Sequence, residues 1–260
     1  MNTELIITDI TRMAHDFICV AGIDKSGKTI RPIYKRQQYG RDRIEEIWCM
    51  RGKKEIKPFT RIFINLEKPS DDTKPPHVED WFIGPGEIGV LGYCTDEEKL
   101  RLLVDNCSED VKSIFEAEIH HVERQGTFIK AGTGKASLGT VRVKRISNFS
   151  YRLYEENWDY RATLQDQAGH YYRLKFVDLS FQTYIDHLRI CQKWSIERII
   201  HHLNDHIFAA CDIYVRIGLA RGWADYPYCC NLQITGFFPF PDYMEGLSPH
   251  SLRQDIQAAN

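Results

Sequence analysis

The stretch from residue 139 to residue 238 constrains the fold most, through the order of its patterned segments. "GTVRVKRI" (139–146) alternates β-branched and basic residues, the period-two signature of a strand with one buried face. "DYRATLQD" (159–166) and "HYYRLKFVDL" (170–179) flank "QAG", a three-residue connection ending in glycine, and read as a β-hairpin. The run "SFQTYIDHLRICQKWSIERIIHHLNDHIFAA" follows. In it Ile196, Ile199, Ile200, Leu203 and Ile207 recur at helical spacing, and Ser195 is placed to cap. Two more strands are expected at "CDIYVRIGLA" (211–220) and "CNLQITGFF" (230–238). Three strands, a helix and two strands is the order of an OB-fold, a five-stranded barrel with a helix between strands three and four.

The first half echoes that order. "LIITDI" (5–10), "FICVAGI" (17–23) and "TIRPI" (29–33) read as strands, the last two joined by the turn "DKSGK". "RDRIEEIWCM" (41–50) is a candidate short helix and "FTRIFINLEKP" (59–69) a fourth strand; "DWFIG" and "EIGVLGYC" compete to be the fifth. A helical stretch is expected from Asp96 to about His120, with Leu100, Leu103, Val104, Val111, Ile114 and Phe115 apolar. The expected fold is a β-dominated α+β protein of two OB-like β-barrels packed together with intervening helices. A first barrel plus helical segment would occupy 1–120, a second barrel 121–246 and a tail 247–260. One larger mixed barrel is the alternative.

Among 260 residues, 43% apolar and 27% charged is a globular composition, ample for two ordinary cores. No run approaches the roughly 20 apolar residues of a membrane span. The opening "MNTELIITDITRMAHD" lacks the basic, apolar and small-residue regions of a signal peptide, so a cytoplasmic location without membrane contact is expected. Eight cysteines are scattered with no CxxC pair, which suits reduced, buried thiols and offers no zinc ribbon.

The net charge is −2, but charge is segregated along the chain. Lys25 to Arg61 carries twelve Lys and Arg against four acids, and Arg124 to Lys175 carries ten against four. Between them, Glu67 to Glu123 carries fifteen acids against five basic residues. A near-neutral chain arranged this way can build positive faces, although solvated charge without a partner reads the same.

"ITDITRM…ICVAGIDKSGKTIRPI", "KPPHVEDW" and "LQITGFFPFPDY" resemble the dual OB-containing domain family of bacterial proteins, over roughly residues 5–245. The resemblance implies two OB-like barrels, nucleic-acid contact and association with mobile-element or phage-defence systems. It supplies no catalytic residue. It places Arg12, Arg31, His77, Glu79, Asp80 and Trp81 at matching positions without assigning them roles.

"IKAGTGKASLGT" (129–140) is the most loop-like motif. It fails as a Walker A sequence because Ala136 stands where Gly-Lys must be followed by Ser or Thr. It also lacks the third glycine and the βαβ setting of a dinucleotide fingerprint. Two readings remain: a glycine-permissive loop whose backbone and lysines contact an anion, or a plain turn. On the first reading Lys130, Lys135, Arg142 and Lys144 are phosphate contacts, with Arg145 flanking. Tyr151, Tyr154, Trp158, Tyr160, Tyr171 and Tyr172 lie among Arg152, Arg161 and Arg173, the mixture by which single-strand binders stack bases beside a basic groove. Alternation places Tyr171 and Arg173 on one face and Tyr172 and Leu174 on the other. Packing in the core explains such rings equally well. Lys35 and Arg36 in the first basic block and Arg216, Arg221 and Trp223 near the end complete the candidate nucleic-acid residues, although "RIGLARGW" and "FFPFPDY" also read as closing the barrel or the seam between the halves; Arg12 and Arg31 join them through the resemblance.

Metal candidates are weak. His202 and His206 stand at i, i+4, but no third ligand is near and Leu203 occupies the position of a metalloprotease glutamate. His77, Glu79 and Asp80 follow two prolines that more simply set a turn. No metal or other cofactor is expected, and no nucleophile motif is present. The reading is a non-catalytic nucleic-acid-binding accessory protein, a targeting subunit for a partner helicase, nuclease or other effector. A metal-dependent nuclease using His77 and Asp80 or His202 and His206 is one alternative; an adaptor docking a basic partner on the acidic middle segment is the other.

Overall fold

In a computed structural model the chain is described over residues 2–13, 17–35, 44–45, 49–51, 54–68, 74–154, 157–222 and 225–259. The first half contains β1 (Asn2–Arg12), β2 (Phe17–Asp24), β3 (Thr29–Ile33), β4 (Thr60–Glu67), β5 (Asp80–Ile83) and β6 (Gly89–Tyr93), beside shorter two-residue strands. β1 pairs with both β2 and β4, β2 with β3, and β5 with β4, all antiparallel; β3 runs parallel to β5. The ring β1-β2-β3-β5-β4 is therefore closed, in the OB order. "DWFI" supplies the fifth strand, while the competing segment, β6, adds to β4. Leu5, Ile7, Ile18, Val20, Ile30, Ile62 and Ile64 point inward and form its core.

The short helix expected over 41–50 falls partly on residues outside those described. Its Ile44–Glu45 instead pairs as strand with Phe17–Ile18. The helical stretch expected after Asp96 is two helices, α1 (Asp96–Asp105) and α2 (Val111–Phe115). Thr95 and Glu98 form a capping box at the start of α1, and Asp110 caps α2. Val111, Ile114 and Phe115 of α2 join the core of the second barrel.

The second half contains β7 (Gly126–Lys130), β8 (Leu138–Tyr154), β9 (Asn157–Asp166), β10 (Tyr171–Phe176), α3 (Leu179–Ile190), α4 (Ile196–His202), β11 (Asp212–Leu219), β12 (Cys229–Phe240) and α5 (Pro249–Ala259). β8 pairs with β9 and β11, β9 with β10, and β11 with β12; β10 runs parallel to β12. This ring, β8-β9-β10-β12-β11, closes in the same order as the first. Both halves are OB-like barrels.

The turn between β9 and β10 follows from its sequence. Gly169 takes a φ of 90°, and Asp166 accepts from the backbone N–H of His170 at 2.8 Å. The helical run between the third and fourth strands is broken at residues 191–195, and a π turn (Leu203–Ile207) continues α4. Ser195 Oγ caps α4 by accepting from the Arg198 N–H at 3.2 Å. Ile199, Leu203 and Ile207 are its buried stripe, whereas Ile196, in the first turn, is 38% exposed. Among the described residues no helix is long and apolar enough to cross a membrane.

Candidate nucleic-acid interface

A barrel strand points alternate residues inward, so every strand also owns an outward row. In the first barrel the outward row on strands one, two, three and five is Asp9 and Thr11, Ala21, Arg31, and Asp80; all five are buried. The second barrel covers them. Asp9 Oδ2 accepts from Arg216 Nε at 3.0 Å and Oδ1 from the Thr235 hydroxyl at 2.5 Å, while Arg216 Nη1 donates to Thr140 Oγ1 at 3.0 Å. Arg12 N–H donates to the Val177 carbonyl at 2.9 Å. Gly236 permits the approach, because a Cβ there would meet the Thr8 carbonyl oxygen at 3.0 Å.

A second polar cluster extends the seam. Arg31 Nε donates to Asp80 Oδ1 at 2.5 Å, and Arg221 donates to the other oxygen of Asp80. His77 is buried with Nδ1 3.1 Å from Arg31 Nη2. Burial, then the charges of Arg31 and Arg221, push the His77 pKa down to about 3, so the neutral ring accepts from the guanidinium. Arg31 thus stands where a metal held by His77 and Asp80 would need to approach. Glu79 Oε1 and Oε2 accept from the backbone N–H and the hydroxyl of Ser137 at 2.6 and 2.7 Å. Asp178 caps α3 from within the same interior, and burial raises its pKa to about 7 against three backbone hydrogen bonds that lower it.

The glycine-rich loop belongs to this seam. Gly132 N–H donates to the Pro75 carbonyl, Lys135 N–H to the Phe115 carbonyl, and Ser137 N–H to Glu79. Gly134 adopts a φ of 84°, and a Cβ there would meet the Phe115 carbonyl oxygen at 2.9 Å. The carboxylate that the loop cradles is the protein's own.

The corresponding outward row of the second barrel is open. Cross-strand partners place Arg145, Gln165 and Tyr171 in one line, Ser147, Thr163 and Arg173 in the next, and Ser150, Arg161, Lys175 and Gln233 in a third. Arg152 and Asp159 lie beyond. Tyr172 and Leu174 point into the core. Among the described residues five cations therefore share this face with one carboxylate. Asp159 accepts from Arg161 Nε at 2.7 Å and lies 3.4 Å from Lys175. Among the described residues the acceptors of Arg173 are neutral, the Asn148 carbonyl and Ser150 Oγ. Its pKa is lowered by partial burial and by the like charges of Arg161 and Arg152, against the opposing effect of Asp159.

The structure brings Tyr171 and Arg173 together on this face, with Lys144 exposed at the adjoining bulge of β8. The other candidates are dispersed. Arg31 and Arg216 are withdrawn from solvent by the seam, a correction to their expected surface role: each guanidinium is committed to a buried carboxylate. Arg12 pairs with Asp186, Lys35 with Glu67, Lys135 with Glu116 and Arg142 with Asp212, and Lys130 is exposed. Arg221 stands at the mouth of the Asp80 cluster. Arg36 and Trp223, and the side chain of Tyr154, lie outside what the structure describes. His202 Nε2 lies 2.8 Å from the Tyr184 hydroxyl, and its ring packs 5.3 Å from His206. Among the described residues no three His, Cys, Asp or Glu are grouped to hold a metal. Lys175, absent from the candidate residues, becomes visible once the "QAG" turn fixes the hairpin register opposite Arg161.

No family model and no curated protein matches the chain. Among solved structures it is similar to one described as a replication protein A heterotrimer bound to ssDNA, at 11% identity. The match covers 99% of this chain and 52% of that one, with a TM-score of 0.36. This chain thus spans about half the length of that one, and the likeness is too distant to carry any property across.

Proposed function

We propose that the protein binds nucleic acid on the outward face of β8, β9 and β10. The observation that carries this is the crowding of Arg152, Arg161 and Arg173 around Asp159, the one carboxylate among the described residues of this open face. Like charges held together repel, and a phosphate backbone would relieve that repulsion while releasing its counterions. The face also lies on strands two and three of an OB-like barrel, which is where barrels of this topology take extended ligands. In the first barrel the equivalent row is buried in the seam, so the second barrel is the binding half.

The family resemblance adds the setting. The protein would serve, without chemistry of its own, as a cytoplasmic accessory or targeting subunit for a helicase, nuclease or other effector. That effector would belong to a bacterial defence or mobile-element system. Titrating a labelled oligonucleotide at several salt concentrations tests the binding itself. Arg173→Ala should weaken binding for all base sequences and reduce the slope of log K against log salt by about 0.7 on a single strand or 0.9 on a duplex. An unchanged affinity and slope in an Arg161→Ala/Arg173→Ala double variant would refute the assignment.

A further inference from the structure

We infer that the ligand of this face is a single strand, one of whose unpaired bases stacks on the ring of Tyr171; this rests on the binding reading above. Tyr171 is 62% exposed, more than Leu153 at 58% or Leu91 at 56%. It is the large apolar side chain that water covers most among the described residues, and it stands at the hairpin end of a charged face. Packing does not place it there. Its strand neighbours Tyr172 and Leu174 fill the core, and alternation sends Tyr171 the other way.

The surroundings suit a nucleotide. Gln165 is the direct partner of Tyr171 on β9, and Arg145 is the partner of Gln165 on β8. Arg173 follows on the same row of β10, about 6.8 Å along the strand. Arg145, two strands across, and Arg173, two residues along β10, thus set two arginines near the ring that are able to take phosphates flanking a stacked base. Gln165 offers an amide beside the ring, with Nε2 turned to the Gly169 carbonyl at 3.5 Å. A duplex cannot use such a platform, because its base faces are already stacked on one another. An unpaired base of any identity can, since each has a π face.

Three probes of equal length separate the contributions: an oligothymidine, an abasic strand with the same phosphates but no bases, and a blunt duplex. Wild-type protein should bind oligothymidine more tightly than the abasic strand by about 5- to 140-fold, the factor for one stacked base at roughly 1–3 kcal/mol. Tyr171→Ala should remove most of that preference while leaving the abasic and duplex affinities, the salt slope and the melting temperature unchanged. Tyr171→Phe should keep it. Equal wild-type affinity for the oligothymidine and abasic strands, or a preference that survives Tyr171→Ala, overturns the stacking site while the basic face stands. Failure of all three probes to bind at low salt overturns the face itself.

Discussion

Arg216 Nε lies 3.0 Å from Asp9 Oδ2, across 207 residues of sequence, and with side chains 1% and 3% exposed the pair joins one barrel to the other. Both charges are shielded from water, so neither is tolerable alone. Arg216→Ala should destabilise the protein by about 3–5 kcal/mol, because Asp9 would remain buried and unpaired. Chemical denaturation of the variant measures this. A loss below about 1 kcal/mol would mean that the seam opens to water.

Ser137 and Lys135 occupy the same loop with opposite expected effects. Ser137→Ala removes a hydroxyl bonded to a buried carboxylate and should cost about 1.5–3 kcal/mol. Lys135→Ala removes only an exposed ion pair with Glu116 and should stay within about 0.5 kcal/mol of wild type. Comparable effects from both changes would contradict the role of the loop as an internal latch.

Ile199 and Ile196 begin the same short helix on different faces. Ile199→Ala should cost about 2–5 kcal/mol, as for other buried aliphatic truncations. Ile196→Ala should fall within about 0.5 kcal/mol of wild type. Thermal or urea unfolding of the two variants checks the assignment.

The pH dependence combines two opposing groups. Asp178, raised to about 7 from 3.8, holds its proton more tightly when folded, so its contribution is full near pH 4 and declines as pH climbs towards 7. His77, lowered to about 3 from 6.5, behaves in reverse: the unfolded chain takes the proton first, and stability is lost as pH falls from 6.5 towards 3. Relative to wild type, Asp178→Asn should gain melting temperature from pH 4 to 8. His77→Gln should gain it from pH 7 to 4. Curves parallel to wild type would show that these groups do not titrate with folding.

The strand order of the second barrel was legible, and that of the first up to its fifth strand, because alternation and turn residues are local signals. "TIRPI" reads as a strand from five residues, and the "QAG" connection announces its hairpin. The ion pairs of the seam were not legible. Arg31 and Arg216 look like any surface arginine until tertiary structure brings Asp80 and Asp9 against them. The same holds for the glycine-rich loop, whose partner Glu79 lies 58 residues away. On the basic face, Tyr171 and Arg173 followed from period two alone, whereas the alignment of Lys175 with Arg161 needed the hairpin register. Helix α4 shows the limit of periodicity: the π turn extends the Ile199 stripe and leaves Ile196 outside it.

The ionic seam also makes the halves inseparable partners. Cut anywhere between the barrels, the chain would yield one fragment with Asp9 on an open wall and another with Arg216 on its own. Each piece would show a stranded charge on a surface built to be dry. The whole molecule should therefore melt in one step, with neither barrel outliving the other, and a protease that loosens either half would silence both.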